Sequence, residues 1–148
     1  MLNKTNLILS AFVTFLAGIF GKFWFLFAAF LILNITDYIT GWAKAYLTHT
    51  ENSNKGFRGI CKKTGSWVVI GVAFFCAISF REMGHLLGVD LAFCELAGWF
   101  CLATFIINEI RSILENLVII GVDVPSFFIK GLKVASEKIN FKIDEPNS

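Results

Sequence analysis

The sequence predicts an all-α integral membrane protein with about four transmembrane helices and a C-terminal cytoplasmic amphipathic helix. Of its 148 residues, 56% are hydrophobic and only 16% are charged, and the mean hydropathy is +0.70. A soluble domain of this length cannot bury so much apolar surface in a single core. Long apolar runs also recur along the chain, so we expect lipid to solvate most of it.

Four apolar runs mark the predicted spans, which cover residues 5–20, 23–43, 64–80 and 91–110. The first two runs together would form a helix of about 60 Å, which is about twice the hydrocarbon thickness of a bilayer. The chain is therefore expected to turn at Gly21-Lys22. Because the first run is short for a span, it could instead lie at the membrane interface and leave three spans.

The distribution of charge predicts the orientation. The segment 44–63 has a single acidic residue, Glu51, against a set of basic ones: Lys44, Lys55, Arg58, Lys62 and Lys63. Lys and Arg concentrate in cytoplasmic loops, so this segment is expected to be a basic cytoplasmic loop. The connection 81–90, where the charges are mixed, then lies outside. With four spans, both termini are cytoplasmic.

Gly121 and Pro125 predict a turn at the end of a transmembrane domain that covers residues 1–121. Residues 122–148 are expected to form a cytoplasmic amphipathic helix and a tail on the inner leaflet. The apolar face of this helix recurs at helical spacing opposite Lys130 and Lys133. Its members are Phe128, Leu132, Ala135 and Ile139.

No pattern of catalytic or ligating residues predicts an enzyme. His49 and His85 lie far apart, and the four cysteines form no C-x-x-C pair. Nucleotide-binding glycine loops and hydrolase motifs are absent from the sequence. We therefore predict no catalytic residue, cofactor or metal site, and no nucleic-acid partner.

Asp37 is expected to lie at membrane depth, because it falls about 20 Å along the second predicted span. Ionisable groups there are costly, and they suggest function by default. One interpretation is an ion pair or cap near the interface, with Arg58, Lys62, Lys63 or Arg111 as its partner. The other is that Asp37 faces a bundle interior or a pore.

Residues 108–116 predict a helix with a polar face that follows directly on the fourth apolar run. Six polar residues fall within an arc of roughly 160°: Asn108, Glu109, Arg111, Ser112, Glu115 and Asn116. Such a helix can lie on a membrane surface, pack its polar side in a bundle, or line a water-filled passage.

Three blocks of the sequence resemble the phage holin family that also contains the toxin-secretion holins. DYITGWAKA at 37–45 includes Asp37, Thr40 and Gly41, and it is followed by the basic block SNKGFRGICKK at 53–63. The third block, NEIRSILENLVIIGVDVP at 108–125, is similar to the family pattern in these residues: Glu109, Ser112, Ile113, Leu114, Glu115, Asn116, Gly121 and Pro125. The blocks agree in order and spacing over roughly residues 30–135.

The resemblance implies a protein that oligomerises in the bacterial cytoplasmic membrane and opens it. A phage endolysin, or in some relatives a toxin, then leaves the cell through the opening. Its partners would be the lipid bilayer, further copies of itself and the passing cargo. The residues leave two alternatives open, which are a small cation or proton channel or transporter using Asp37 and Glu109, and a membrane adaptor without a pore.

A mechanism follows as a hypothesis from the polar face at 108–116. In one copy this face would be hidden against Asp37 and the basic segment, and in the assembled state it would turn toward water. Subunits would pack through small residues at helical spacing, such as Gly41 with Ala45 and Ala73 with Ala77.

Overall fold

The computed structural model describes residues 3–50 and 52–144, with side chains throughout except at 22, 55, 136, 138 and 140–144. This part of the chain is built of α-helices without strands, and a short 3₁₀ turn, Gly21–Phe23, joins the first two helices. The helices are α1 (Lys4–Phe20), α2 (Trp24–Leu47), α3 (Ser53–Leu87), α4 (Cys94–Ile120) and α5 (Ser126–Asp144). The prediction of an all-α fold is therefore confirmed.

Helix α4 is the centre of the arrangement, because it packs against α2, α3 and α5. Helix α1 packs against α2 and α3. The core is apolar and rich in aromatic side chains: Leu16, Phe20, Phe30, Ile70, Phe74 and Leu102. The Phe20 ring stacks on Phe27 with centroids 4.5 Å apart and meets the Phe74 ring edge-on at 4.6 Å.

The predicted turn at Gly21-Lys22 is confirmed. Gly21 adopts φ +57° at the end of α1, in the region that only glycine enters without steric cost. The break separates two helices whose combined length would exceed the bilayer. It also brings the Phe20 side chain against the first turn of α2.

Two helices in the described residues are long and apolar enough to cross a membrane, namely Trp24–Leu47 and the Gly56–Leu87 part of α3. They contain all of the predicted run 64–80 and all but the first residue of the run 23–43. Helix α1 is a shorter apolar helix of 17 residues. The fourth predicted run, 91–110, lies mostly in α4. Four spans remain a prediction, because length and composition identify two.

The prediction that 44–63 is a loop was wrong in its extent. Helix α2 continues to Leu47 and α3 begins at Ser53, so only residues 48–52 connect them. Gly56 and Gly59 lie within α3, because an isolated glycine costs a long helix only about 1 kcal/mol. As a consequence, Lys44 and Lys63 lie on helices rather than in a solvated connection.

The turn after α4 is built around Gly121, which adopts φ +99°. The Val122 N–H donates to the Leu117 carbonyl at 2.9 Å, and the Gly121 N–H donates to the Val118 carbonyl at 3.1 Å. Together these two hydrogen bonds form a Schellman motif. Pro125 immediately precedes α5 rather than lying in its first turn.

Helix α5 forms where an amphipathic helix was predicted, and it packs against α4. Its half-buried apolar residues include Leu132, Ala135 and Ile139 from the predicted face. Phe128, the fourth predicted member, is 53% exposed, and Ile129 is half-buried instead. Of the predicted tail, residues 145–148 lie outside the described residues.

Candidate functional site

A line of polar side chains runs along α2 and faces its neighbours. Asn34, Asp37 and Lys44 recur at spacings of three and seven, which places them on one side of the helix. Asn34 is the most buried of them, with 3% of its surface exposed. Its amide nitrogen donates to the Phe30 carbonyl at 2.8 Å, and its oxygen accepts the Trp67 indole N–H at 3.3 Å.

Lys63 on α3 lies between two carboxylates from different helices. Its ammonium nitrogen is 3.0 Å from Asp37 Oδ2 on α2 and also donates to Glu109 Oε2 on α4. The three side chains keep only 13–17% of their surface exposed. Charged side chains with so little exposed surface are stable only when they are paired. The ammonium group of Lys63 therefore stabilises both carboxylates.

Asn116 on α4 joins the same acid to a second lysine. Its amide nitrogen donates to Asp37 Oδ1 at 3.1 Å and to Thr40 Oγ1 at 3.3 Å, while its oxygen accepts from Lys44 Nζ at 2.5 Å. The Thr40 hydroxyl donates in turn to the Asp37 carbonyl at 3.1 Å. The Asn116 amide therefore uses both its donor and its acceptor capacity between helices.

These contacts form one interhelical polar network, which comprises Asp37, Thr40, Lys44, Lys63, Glu109 and Asn116. The hydrogen bond between Asn34 and Trp67 is a separate contact between α2 and α3. The network holds two carboxylates and two ammonium groups, so its formal charge is zero. Among the described side chains, no buried nitrogen or oxygen lacks a hydrogen-bond partner. The network thus connects α2, α3 and α4 without leaving a net charge between them.

The polar face predicted at 108–116 divides into two flanks. Glu109 and Asn116 turn inward to the network, while Asn108 is exposed. Arg111 and Glu115 form an ion pair of 2.9 Å along the outer surface and are about half exposed. Ser112, half-buried, lies between the flanks. Of the three alternatives for this helix, packing of the polar side in a bundle therefore applies only to the flank with Glu109 and Asn116.

The basic segment contributes one direct partner of Asp37. Of the four candidates, Lys63 makes the ion pair, whereas Arg58 and Lys62 are exposed and Arg111 pairs with Glu115. The Lys55 side chain lies outside the described residues. Gly121 and Pro125 shape the turn between α4 and α5.

The small residues expected between subunits make contacts within the chain. An added Cβ at Gly41 would meet the Asn116 amide nitrogen at 3.6 Å, so Gly41 faces α4. Ala77 is 97% buried, since only 3% of its surface is exposed. Gly41 and Ala77 are therefore used to bring helices of one copy together.

The sequence reasoning missed Asn34 and Trp67, and it placed Lys44 in the basic segment without a site role. A signal for Asn34 existed, because it precedes Asp37 by three residues in an otherwise apolar run and so shares its helix face. Nothing in the sequence around Trp67 pairs it with Asn34, which lies 33 positions earlier.

A second charged group lies at the far end of α3. Arg81 contacts Glu95 at the start of α4, and its Nη2 is 3.2 Å from Glu82 Oε1. These side chains are 38–62% exposed, so they are far more accessible than the polar network.

Two of the described helices are long and apolar enough to cross a membrane, which is typical of a helical membrane protein. Its sequence matches the bacteriophage holin family over residues 14–137, and the chain belongs to that family. Members of this family are normally non-enzymatic membrane proteins.

Several relatives extend over most of the chain. A protein of Clostridium perfringens is 34% identical over 130 residues, which is 87% of this chain and 88% of that protein. One of Halalkalibacterium halodurans is 30% identical, with 84% and 86% covered, and one of Listeria monocytogenes is 32% identical, with 72% and 69% covered. All three are described as uncharacterised. No solved structure matches this chain.

Proposed function

We propose that this protein is a holin, which oligomerises in the bacterial cytoplasmic membrane and forms a hole or lesion that triggers host lysis. The cargo released is a phage endolysin, or a toxin. The observation that carries the proposal is the neutral polar network between α2, α3 and α4 in a chain of the holin family.

The network supports a mechanism with two arrangements. In a single copy, Lys63 pairs with both Asp37 and Glu109, and Asn116 accepts a hydrogen bond from Lys44, whose charge makes the set neutral overall. A paired, neutral set can remain in lipid, whereas the separated groups need water. Assembly that parts α4 from α2 and α3 would exchange these pairs for hydration, and a water-filled lesion would be the state that accommodates the charges.

The outer flank at Arg111 and Glu115 belongs to this proposal as a candidate lining of the lesion. It carries both signs of charge on the α4 surface without using them in the network. Copies that meet with this flank toward a common centre would enclose a polar passage.

The proposed orientation places the connection between α2 and α3 and both termini in the cytoplasm, with Arg81 and Glu95 near the outer surface. The excess of Lys and Arg in 44–63 supports it. In this orientation the polar network lies toward the cytoplasmic leaflet.

A cation or proton channel using Asp37 and Glu109 is the rival function. Lys63 disfavours it, because its ammonium group occupies the position between the two carboxylates that a bound cation would need. A membrane adaptor without a pore has no structural observation in its favour.

The test is inducible expression in a bacterium with and without a co-expressed cytoplasmic endolysin. A holin abolishes the membrane potential abruptly, and the culture clears only when endolysin is present. Endolysin alone is the control. Altered ion flux with endolysin retained would replace the proposal by a channel, and an unchanged potential without clearing would reject any pore.

A further inference from the structure

A groove runs along the seam between α1 and α3. It consists of two cavities of about 250 and 280 Å³ whose linings share Ile19, Phe20 and Ile78. The first cavity begins beside Trp67, and the second ends at Arg81 and Glu95. Between Trp67 and Arg81, α3 rises about 21 Å.

The walls of the groove change in character along its length. Near Gly71 they are apolar and largely aromatic, and the rim residues Phe15 and Phe75 are 64% and 71% exposed, so the groove opens on the helix surface. At its other end, Arg81 and Glu95 bring charges of both signs to the lining, beside the indole of Trp99. This combination fits a molecule with a long apolar part and a charged end.

We propose that this groove binds one phospholipid with a zwitterionic, ammonium-bearing headgroup. One leaflet of hydrocarbon is about 15 Å thick, so an acyl chain fits along the apolar part while its headgroup reaches Arg81. The guanidinium binds the phosphate, and the carboxylate of Glu95 binds the ammonium group. With Arg81 and Glu95 both in the lining, this end is neutral and matches the paired opposite charges of a zwitterionic headgroup.

The dimensions favour a lipid over a helix of a second copy. A helix with its side chains is about 10 Å across. An acyl chain is much thinner than a helix. The inference needs only that the chain lies in a membrane, and it does not depend on lesion formation.

Three glycines provide matched variants. Gly71 lines the first cavity and Gly18 the second, whereas Gly65 is exposed on α3 outside both. An added Cβ meets no atom within 4 Å at any of the three. Gly71→Leu and Gly18→Leu therefore fill the groove, and Gly65→Leu is the control with the same chemical change.

The experiment is cell-free synthesis of the full chain into nanodiscs of equal parts phosphatidylethanolamine and phosphatidylglycerol with identical acyl chains. Native mass spectrometry after transfer to detergent then reads the retained lipid. We expect one phosphatidylethanolamine on the wild-type chain and on Gly65→Leu, and loss of most of it from Gly71→Leu and Gly18→Leu. Circular dichroism checks that each variant remains helical.

Three results would overturn the inference. They are a wild-type chain that retains no lipid, equal retention by all variants, and a preference for phosphatidylglycerol. A lipid-free dimer that Gly71→Leu abolishes would assign the groove to a second copy instead. None of these readouts depends on lysis, so failure here is distinguishable from failure of the proposed holin function.

Discussion

Asn116 on α4 donates a hydrogen bond of 3.1 Å to the carboxylate of Asp37 on α2, although 79 positions separate the two residues in the chain. The same amide accepts from Lys44, so one neutral side chain links an acid and a base that are both on α2. This contact closes the polar network at its α4 end. Asn116 is therefore the uncharged residue of the network whose replacement should destabilise the helical packing most.

Replacing Asn116 by Leu should therefore destabilise the helical packing. The change removes the hydrogen bonds to Asp37, Thr40 and Lys44, and leaving buried polar groups unsatisfied costs about 1–3 kcal/mol. Thermal unfolding in detergent, followed by circular dichroism, measures the effect. Asn108→Leu, at an exposed position of the same helix, should leave the midpoint nearly unchanged. Equal midpoints for both variants would contradict the packing role of Asn116.

Lys63→Met should advance lysis. The two carboxylates of Asp37 and Glu109 lose the cation that they share, and breaking a buried pair typically costs about 3–5 kcal/mol. In the proposed mechanism this weakens the closed arrangement, so clearing in the presence of endolysin begins sooner after induction. Lys62→Met is the control, because Lys62 is exposed and adjacent. If the Lys63→Met variant lyses on the wild-type schedule, the network does not hold the protein in the closed arrangement.

Charge reversal at Glu115 separates folding from lesion lining. Its pair with Arg111 is about half exposed, so Glu115→Lys should change stability by less than about 1 kcal/mol. If this flank lines the lesion, leakage of a cationic dye from vesicles should fall relative to that of an anionic dye. Glu137→Lys reverses one end of a similar exposed pair with Lys133 and should not affect leakage. Unchanged dye preference and lysis timing for Glu115→Lys would mean that the flank does not line the passage.

Gly121→Ala should weaken the turn between α4 and α5. At φ +99° a Cβ atom is strained, and the cost is about 1 kcal/mol or more. Gly131→Ala, inside α5 with no atom within 4 Å of an added Cβ, should instead stabilise by about 0.5–1 kcal/mol. Unfolding midpoints in detergent should therefore move in opposite directions, and a shift of the same sign for both would contradict this assignment of the turn.

The proposed orientation predicts an asymmetric pattern of thiol labelling. In a variant whose native cysteines are replaced by Ser, Val89→Cys should react with a membrane-impermeant maleimide in intact spheroplasts. Asn54→Cys should react only after permeabilisation. Both positions are exposed, so accessibility of the fold itself does not distinguish them. The reverse pattern would invert the topology.

The helical periodicity of apolar residues and the positions of glycines predicted much of the local structure. The turns at Gly21 and Gly121 were predictable because only glycine relieves the strain of a positive φ. The amphipathic helix α5 followed from its spacing. The length of α3 was not predictable in the same way, since two glycines and several lysines are as compatible with a helix as with a loop.

The partners within the site were harder to predict, for a physical reason. In a membrane chain, residues facing lipid and residues facing other helices are both apolar, so hydropathy does not separate a core face from an outer face. The arc at 108–116 could therefore be recognised as polar without revealing that Glu109 turns inward while Glu115 turns outward. The choice of Lys63 over Lys62 likewise depends on the rotation of α3 against its neighbours.

In the proposed membrane arrangement, helix α3 is longer than the hydrocarbon core is thick. Its 35 residues make a rod of about 53 Å, whereas the hydrocarbon core is about 30 Å thick. The rod must project from the bilayer or tilt within it, and any local thinning changes the balance between the two. Lys63 lies ten residues from the Ser53 end, so a tilt of α3 relative to α2 and α4 would alter its contacts with Asp37 and Glu109. A change in bilayer thickness would then act on the ion pairs of Lys63.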